Sequence, residues 1–281
     1  MYYGDRGNKF KKLIFSLFQK AQLNFDFIKI CLNETNLEKF NNAFTSVSID
    51  QKNNYEFYEQ LGDSTVNKFI VSYMYSRFPQ LKSSNGVNVV ARLKIKYGSK
   101  GQLYQIADKL GFWEFISADS EERIKRKKSL LEDVFEAFFG CLEDVVNETI
   151  FNLKGDYYYG VGFDVSCTLL RYIFDDIEIK IDYESLVDAK TRLKELFDEH
   201  KSMLIQLKYD DIRCPETNFF ISKVYNKSKF LGSGMSTKKK EAQEKAAENA
   251  LVTLERLGYK KEIPKQYIFK IDFKMFLYFE I

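Results

Sequence analysis

YEFYEQLGDSTV, residues 55–66, mixes acidic and apolar side chains at helical steps, and its reading governs the rest of the chain. Glu56, Glu59 and Asp63 fall at i, i+3 and i+7, so one helix face carries all three. A second stretch, SLLEDVFEAFFG (129–140), puts Asp133 and Glu136 at i and i+3. Each carboxylate stands among residues that favour burial: Leu61, Val66 and Phe69 in the first helix, Leu130, Val134 and Phe138 in the second. Carboxylates beside a core are unfavourable unless a cation satisfies them. A hard divalent cation with oxygen ligands, Mg²⁺ foremost, does so and points to metal-assisted phosphodiester chemistry. Gly62 in the middle of the first helix costs about 1 kcal/mol relative to alanine. Its presence calls for a close packing contact or a nearby ligand.

Around these two stretches the pattern is helical from about 36 to 152. LEKFNNAFT (37–45), VVARLKIKYG (89–98) and QLYQIADKLGF (102–112) repeat apolar residues at three- and four-residue steps. KFKKLIFSLFQKAQL (9–23) reads as an amphipathic helix, and VSCTLLRYIF (165–174) as a further helix after the glycine- and tyrosine-rich break NLKGDYYYGVGFD (152–164). From 186 the character changes. LVDAKTRLKELFDEH is helical, and MLIQLKYDD (203–211) and NFFISKVYN (218–226) read as paired strands. FLGSGMST (230–237) reads as a turn before the alanine-rich helix KKKEAQEKAAENALVTLERL (238–257). The tail alternates at IFKIDFK (268–274), as a strand would.

These readings divide the chain into an N-terminal extension (1–35), an all-α catalytic domain (36–160), a helical connector (161–184), a small α+β domain (185–257) and a C-terminal extension (258–281).

Several function classes are excluded. The 43 Lys and Arg nearly balance the 40 Asp and Glu, so net charge alone names no partner. Cys31, Cys141, Cys167 and Cys214 form no CxxC pair, and none neighbours the single His200. That argues against a zinc site and a disulfide framework, and for reduced thiols in an intracellular, cytoplasmic protein. One histidine leaves a Ser-His-Asp or Cys-His hydrolase a single possible base, with no nucleophile beside it. MYYGDRGNKFKK (1–12) lacks the apolar core of a signal peptide, and LIFSLF (13–18) is too short to span a bilayer. Neither a membrane partner nor a small organic cofactor is expected.

The motifs together resemble the ribonuclease III family of double-stranded-RNA endonucleases. NNYEFYEQLGDS (53–64) is similar to that family's NxxxEFLGD signature, and KSLLEDVFEAFFG (128–140) to its SxLADxxEALxG motif. NGVNVVARLK (85–94) takes the place of EGxLxxLRA, and LEKFNNAFTSVS (37–48) resembles LxxALTHxS. The resemblance implies that Glu59, Asp63, Asp133 and Glu136 are catalytic metal ligands, with Glu56 a further acidic position. It implies Mg²⁺ as cofactor, with Mn²⁺ an accepted substitute, and a homodimer in which each subunit cuts one strand, leaving 5′-phosphates and short 3′ overhangs. Two departures stand out. Asn85 replaces the family's rim glutamate, and Gln60 replaces the aromatic that the family packs into its partner subunit.

Residues 188–247 resemble the double-stranded-RNA-binding domain, an α-β-β-β-α fold. DAKTRLKELF (188–197) carries the T-x-L-x-E pattern through Thr191, Leu193 and Glu195. GSGMSTKKKEAQEKAA (232–247) resembles the entry to the second helix, which puts Lys238, Lys239 and Lys240 at phosphates of the duplex. Cations at a helix N-terminus oppose the macrodipole, and a polyanion there relieves the opposition. CPET (214–217) stands where the family has GPxH. The implied function is cleavage of double-stranded RNA. The alternative is an inactive protein on the same scaffold that binds or sequesters duplex RNA.

Overall fold

The computed structural model describes residues 1–156 and 159–268. The chain divides into two compact units, Met1–Ile179 and Lys180–Ile281. The tail strand read at 268–274 lies, beyond Ile268, outside the described residues.

The first unit is helical: α1 (Asn8–Lys20), α2 (Phe25–Cys31), α3 (Glu34–Ala43), α4 (Glu56–Arg77), α5 (Ser84–Tyr97), α6 (Lys100–Lys109), α7 (Ser120–Lys154) and α8 (Tyr159–Asp175). The two acidic stretches lie on α4 and α7, the most extensively packed helix pair of this unit. Phenylalanine fills the space behind them. The rings of Phe10, Phe44, Phe112, Phe138, Phe40 and Phe18 touch in succession, with centroids 5.0–5.8 Å apart. Phe138 thereby anchors the carboxylate-bearing turn of α7 in the core.

The N-terminal segment is built into this unit. α1 buries Phe10, Ile14, Leu17 and Phe18, each worth roughly 1.5–3 kcal/mol as removed apolar surface. The half-buried Arg6 guanidinium donates to the carbonyls of Phe115 and Phe44, and Tyr2 pairs with Ala118. Tyr2 and Trp113 sandwich the Arg123 guanidinium, each 3.8 Å away, at the start of α7. At its other end α7 stops at Gly155, where a φ of +78° favours glycine.

The second unit holds α9 (Tyr183–Leu186), α10 (Ala189–Glu199), β1 (Leu207–Arg213), β2 (Phe220–Asn226), β3 (Lys229–Ser236) and α11 (Lys239–Arg256). The strands form one antiparallel sheet in the order β1-β2-β3. α10 and α11 bury Leu193, Leu196, Phe197, Ala246, Ala247, Ala250 and Leu254 against Val224 and Leu231. This is the α-β-β-β-α order expected. One element corrects the sequence reading: FLGSGMS is strand, not turn. Its glycines mark close approach rather than a bend. A Cβ on Gly232 would lie 2.5 Å from the Ala250 nitrogen, and one on Gly234 2.5 Å from the Ala242 carbonyl oxygen. Alanine side chains on α11 complete this tight seat. Side chains of α11 then cover the outer edge of β3: Asn249 donates to the Ser233 carbonyl at 2.7 Å and Lys245 to that of Met235 at 3.2 Å.

Candidate active site and RNA-binding surface

α4 and α7 cross backbone to backbone. A Cβ on Gly62 would lie 1.7 Å from the carbonyl oxygen of Glu136, and one on Gly140 2.1 Å from that of Tyr58. No other residue fits at either position without moving a helix. The crossing lies beside Glu59 and Asp63 on one helix and Asp133 and Glu136 on the other. Of the two explanations the sequence left open for the mid-helix glycine, a packing contact or a nearby ligand, the packing contact is present.

The resulting cluster is crowded with like charge. Asp133 and Glu136 are each only 9% exposed, Glu59 is half-buried and Asp63 faces solvent. Burial pushes the Glu136 carboxyl up to about 8, reinforced by Asp63, Glu132, Glu59 and Asp133. Glu59 rises to about 7 through burial, then through Asp133, Glu56 and Glu132. Asp133 rises too, chiefly from burial, against the pull of Lys100, Tyr55 and Arg126. Across the crossing, Asp63 and Glu59 thus act on Glu136 and Asp133 acts on Glu59, while Glu56 acts on Glu59 along α4. Asn85 is exposed in the first turn of α5, a neutral amide that adds no charge.

The structure adds four residues that the sequence reading did not place at the site. Tyr55 is buried and its hydroxyl donates to Asp133 Oδ2 at 3.2 Å. Arg126 approaches the same oxygen at 3.9 Å, from a point where α7 leaves helical geometry (φ −121°, ψ 24°). Glu132, also with raised affinity for its proton through burial, is ion-paired with Lys100. Tyr55 and Glu132 were visible as neighbours of the acidic motifs. Lys100 and Arg126 carried no local signal.

Oxygen donors only, packed so that burial and mutual repulsion hinder their ionisation, suit a hard divalent cation. Protein donors now occupy several of these oxygens, including Asn67 Nδ2 on Asp63 at 2.6 Å. Among the described residues no three acidic, histidine or cysteine side chains already converge as a metal-binding group. The residues fit a metal by chemistry, with side-chain rearrangement needed to close around it.

In the second unit, Lys238, Lys239 and Lys240 are exposed where α11 begins. Lys238 pairs with Glu241 at 3.0 Å and Lys239 with Asp211 at 3.2 Å. Thr191 lies in the first turn of α10, its N–H on the capping Asp188 at 3.0 Å. Glu195 accepts from the Tyr183 hydroxyl and pairs with Lys261 at 2.7 Å. CPET forms the β1–β2 connection, closed by Asn218 at φ +56°.

Residues 56–143 match the Ribonuclease III domain and residues 189–254 the double-stranded RNA binding motif. A protein of Invertebrate iridescent virus 6 carrying the name ribonuclease 3 is 45% identical over 265 residues, spanning 90% of each chain. The chain belongs to the ribonuclease III family. It is a ribonuclease III enzyme that also carries a double-stranded-RNA-binding domain. The Ribonuclease 3 of Geobacillus thermodenitrificans is 26% identical over 253 residues, covering 85% of this chain and 94% of its own. The solved nuclease domain of ribonuclease III from Campylobacter jejuni aligns with 58% of this chain and 97% of its own, at 23% identity and a TM-score of 0.41. Ribonuclease III enzymes depend on metal, in keeping with the oxygen-rich cluster. No helix among the described residues is long and apolar enough to cross a membrane.

Proposed function

We propose that this ribonuclease III acts as a Mg²⁺-dependent homodimer, with Mn²⁺ able to substitute. It cuts both strands of duplex RNA to short products with 5′-phosphates and 3′ overhangs. The observation that carries this reading is the close backbone crossing of α4 and α7, which brings Glu59 and Asp63 within electrostatic reach of Asp133 and Glu136. A divalent ion bound there supplies an activated water and a stabilised leaving oxygen. The chain's own part is to present oxygens from a rigid frame. Asp133 and Glu136 offer buried carboxylates, and Glu59 and Asp63 complete the set from the facing helix. Tyr55 orients Asp133 through its hydroxyl. Glu56 and Asn85 stand at the rim as accessory groups.

The RNA-binding domain contributes affinity for A-form shape. Lys238, Lys239 and Lys240 meet phosphates, and Thr191 and Glu195 face a minor groove. The homodimer is supported by Phe57, which is 65% exposed and shares a face of α4 with Gln60. Phe57 is positioned to supply the aromatic contact that Gln60 lacks. An intracellular, cytoplasmic setting belongs to the same reading, supported by four free cysteines, none of them exposed. A non-catalytic, RNA-sequestering role is not favoured, because the four metal-position carboxylates Glu59, Asp63, Asp133 and Glu136 are all retained, although Asn85 stands at the rim where the family has glutamate.

The test is cleavage of a long end-labelled duplex RNA by the full chain, in Mg²⁺ and in EDTA, beside Glu136→Gln. Metal-dependent cutting to short duplexes, lost in the variant while binding persists, is expected. Binding without cutting in both Mg²⁺ and Mn²⁺ overturns the reading.

A further inference from the structure

Lys100 is the first residue of α6, the helix packed on the side of α7. A cation in the first turn of a helix opposes the macrodipole, so its placement there needs a compensating partner. It has one inside the cleavage site. Its ammonium is ion-paired with Glu132 and lies 3.4 Å from Ser129 Oγ, while half its side chain stays exposed. Its charge also reaches Glu59 and Asp133. An ion pair with a half-exposed lysine adds little to stability, which leaves its place among the cleavage-site acids to be explained by another role.

We propose that Lys100 is a positioning residue: Glu132 holds it while the site lacks metal, and a divalent ion that draws on Glu132 frees it to hold a phosphate of the duplex. This rests on the metal-dependent reading above. The chemistry needs such a group. Five carboxylates repel an incoming phosphodiester, and one divalent ion leaves the cluster negative. Lys100 is a movable positive charge at the rim, on a four-carbon stem that can swing between two anions. It also stands at the positive end of α6, where anions are favoured. The same charge opposes the metal until Glu132 changes partner. Lys100 therefore weakens metal binding in the free enzyme and strengthens substrate binding in the loaded one.

These opposite signs supply the test. Thermal midpoints of the full chain are titrated with Mg²⁺ in the absence of RNA, for the parent, Lys100→Ala and Lys100→Arg. The Mg²⁺ concentration giving half the shift should fall in Lys100→Ala by roughly three- to tenfold, and Lys100→Arg should restore it. At saturating Mg²⁺, Lys100→Ala should raise the KM for a short duplex several-fold with kcat changed less, again restored by arginine. A structural ion pair alone would not raise KM selectively. Unchanged or weaker Mg²⁺ binding in Lys100→Ala, or a loss confined to kcat, overturns the proposal. If Lys100→Ala fails to fold, Lys100→Gln takes its place under the same criteria. A parent that shows no response to Mg²⁺ removes the metal-dependent reading itself, an outcome distinct from a parent that responds and a variant that does not differ.

Discussion

The acids at the α4–α7 crossing and the lysines at the start of α11 are both concentrations of one charge, and the fold treats them in opposite ways. Asp133 and Glu136 are 9% exposed, and burial, followed for Glu136 by the surrounding acids, pushes both toward protonation. The side chains of Lys238 and Lys239 are 72% and 58% exposed, and each already holds a carboxylate of its own. Buried like charges, only partly offset by Lys100 and Arg126, create a demand that an added cation meets. Exposed, pre-paired charges exchange one partner for another at small net change. The first arrangement suits chemistry that must be specific in geometry, the second suits affinity for a polyanion of any sequence.

The contrast breaks most sharply at the acids. Asp63→Asn should lower the cleavage rate by at least about a thousandfold, or some 4 kcal/mol of transition-state stabilisation, with duplex binding kept. Cleavage assays on labelled duplex read the first and filter binding the second. A variant that cuts at the parental rate would remove Asp63 from the site.

Gly62→Ala asks whether the frame or the side chains set the geometry. The added methyl has no room beside the Glu136 carbonyl, so a loss of roughly 1–3 kcal/mol is expected, with cleavage falling alongside. Thermal unfolding of the variant measures it, and an unchanged midpoint would mean that the helices separate freely.

Changing Lys238, Lys239 and Lys240 together to alanine should leave the catalytic rate at saturation alone. It should reduce the slope of log affinity against log salt by roughly two to three. Equilibrium binding at several salt concentrations tests this. An unchanged slope would place the interface elsewhere.

The smallest effect is in pH. In EDTA, Glu59 and Glu136 keep protons in the folded state up to about 7 and 8, whereas the unfolded chain releases them near the ordinary carboxylate value. The folded state then binds more protons, so stability falls as pH rises from about 5 to 8. Thermal midpoints in EDTA should decline over that window, and saturating Mg²⁺ should cancel the decline. A midpoint that rises with pH in EDTA would contradict the crowding of the acids.

Much of this was legible in the sequence because helical periodicity is local. Glu59, Asp63, Asp133 and Glu136 could be assigned to two faces by counting residues, and Gly62, out of place in a helix, pointed to a close contact or a nearby ligand. What counting could not give was the third helix. Lys100 belongs to the site only because α6 packs on α7, and nothing in KYGSKGQLYQ marks it. Arg126 reaches Asp133 through a local departure from helical geometry that no pattern encodes. FLGSGMS misled for the opposite reason. Glycine signals both a bend and a close approach, and the deciding partner, α11, follows it in sequence without being part of its local pattern.

The crossing at Gly62 and Gly140 also bears on when the enzyme becomes active. Each helix alone carries acids but no site, because the cluster exists only once the second glycine seats against the first. A chain still emerging from the ribosome, with α4 made and α7 unfinished, carries no assembled cutting centre. A chain that stops before α7 is therefore expected to bring no second pair of acids to Glu59 and Asp63.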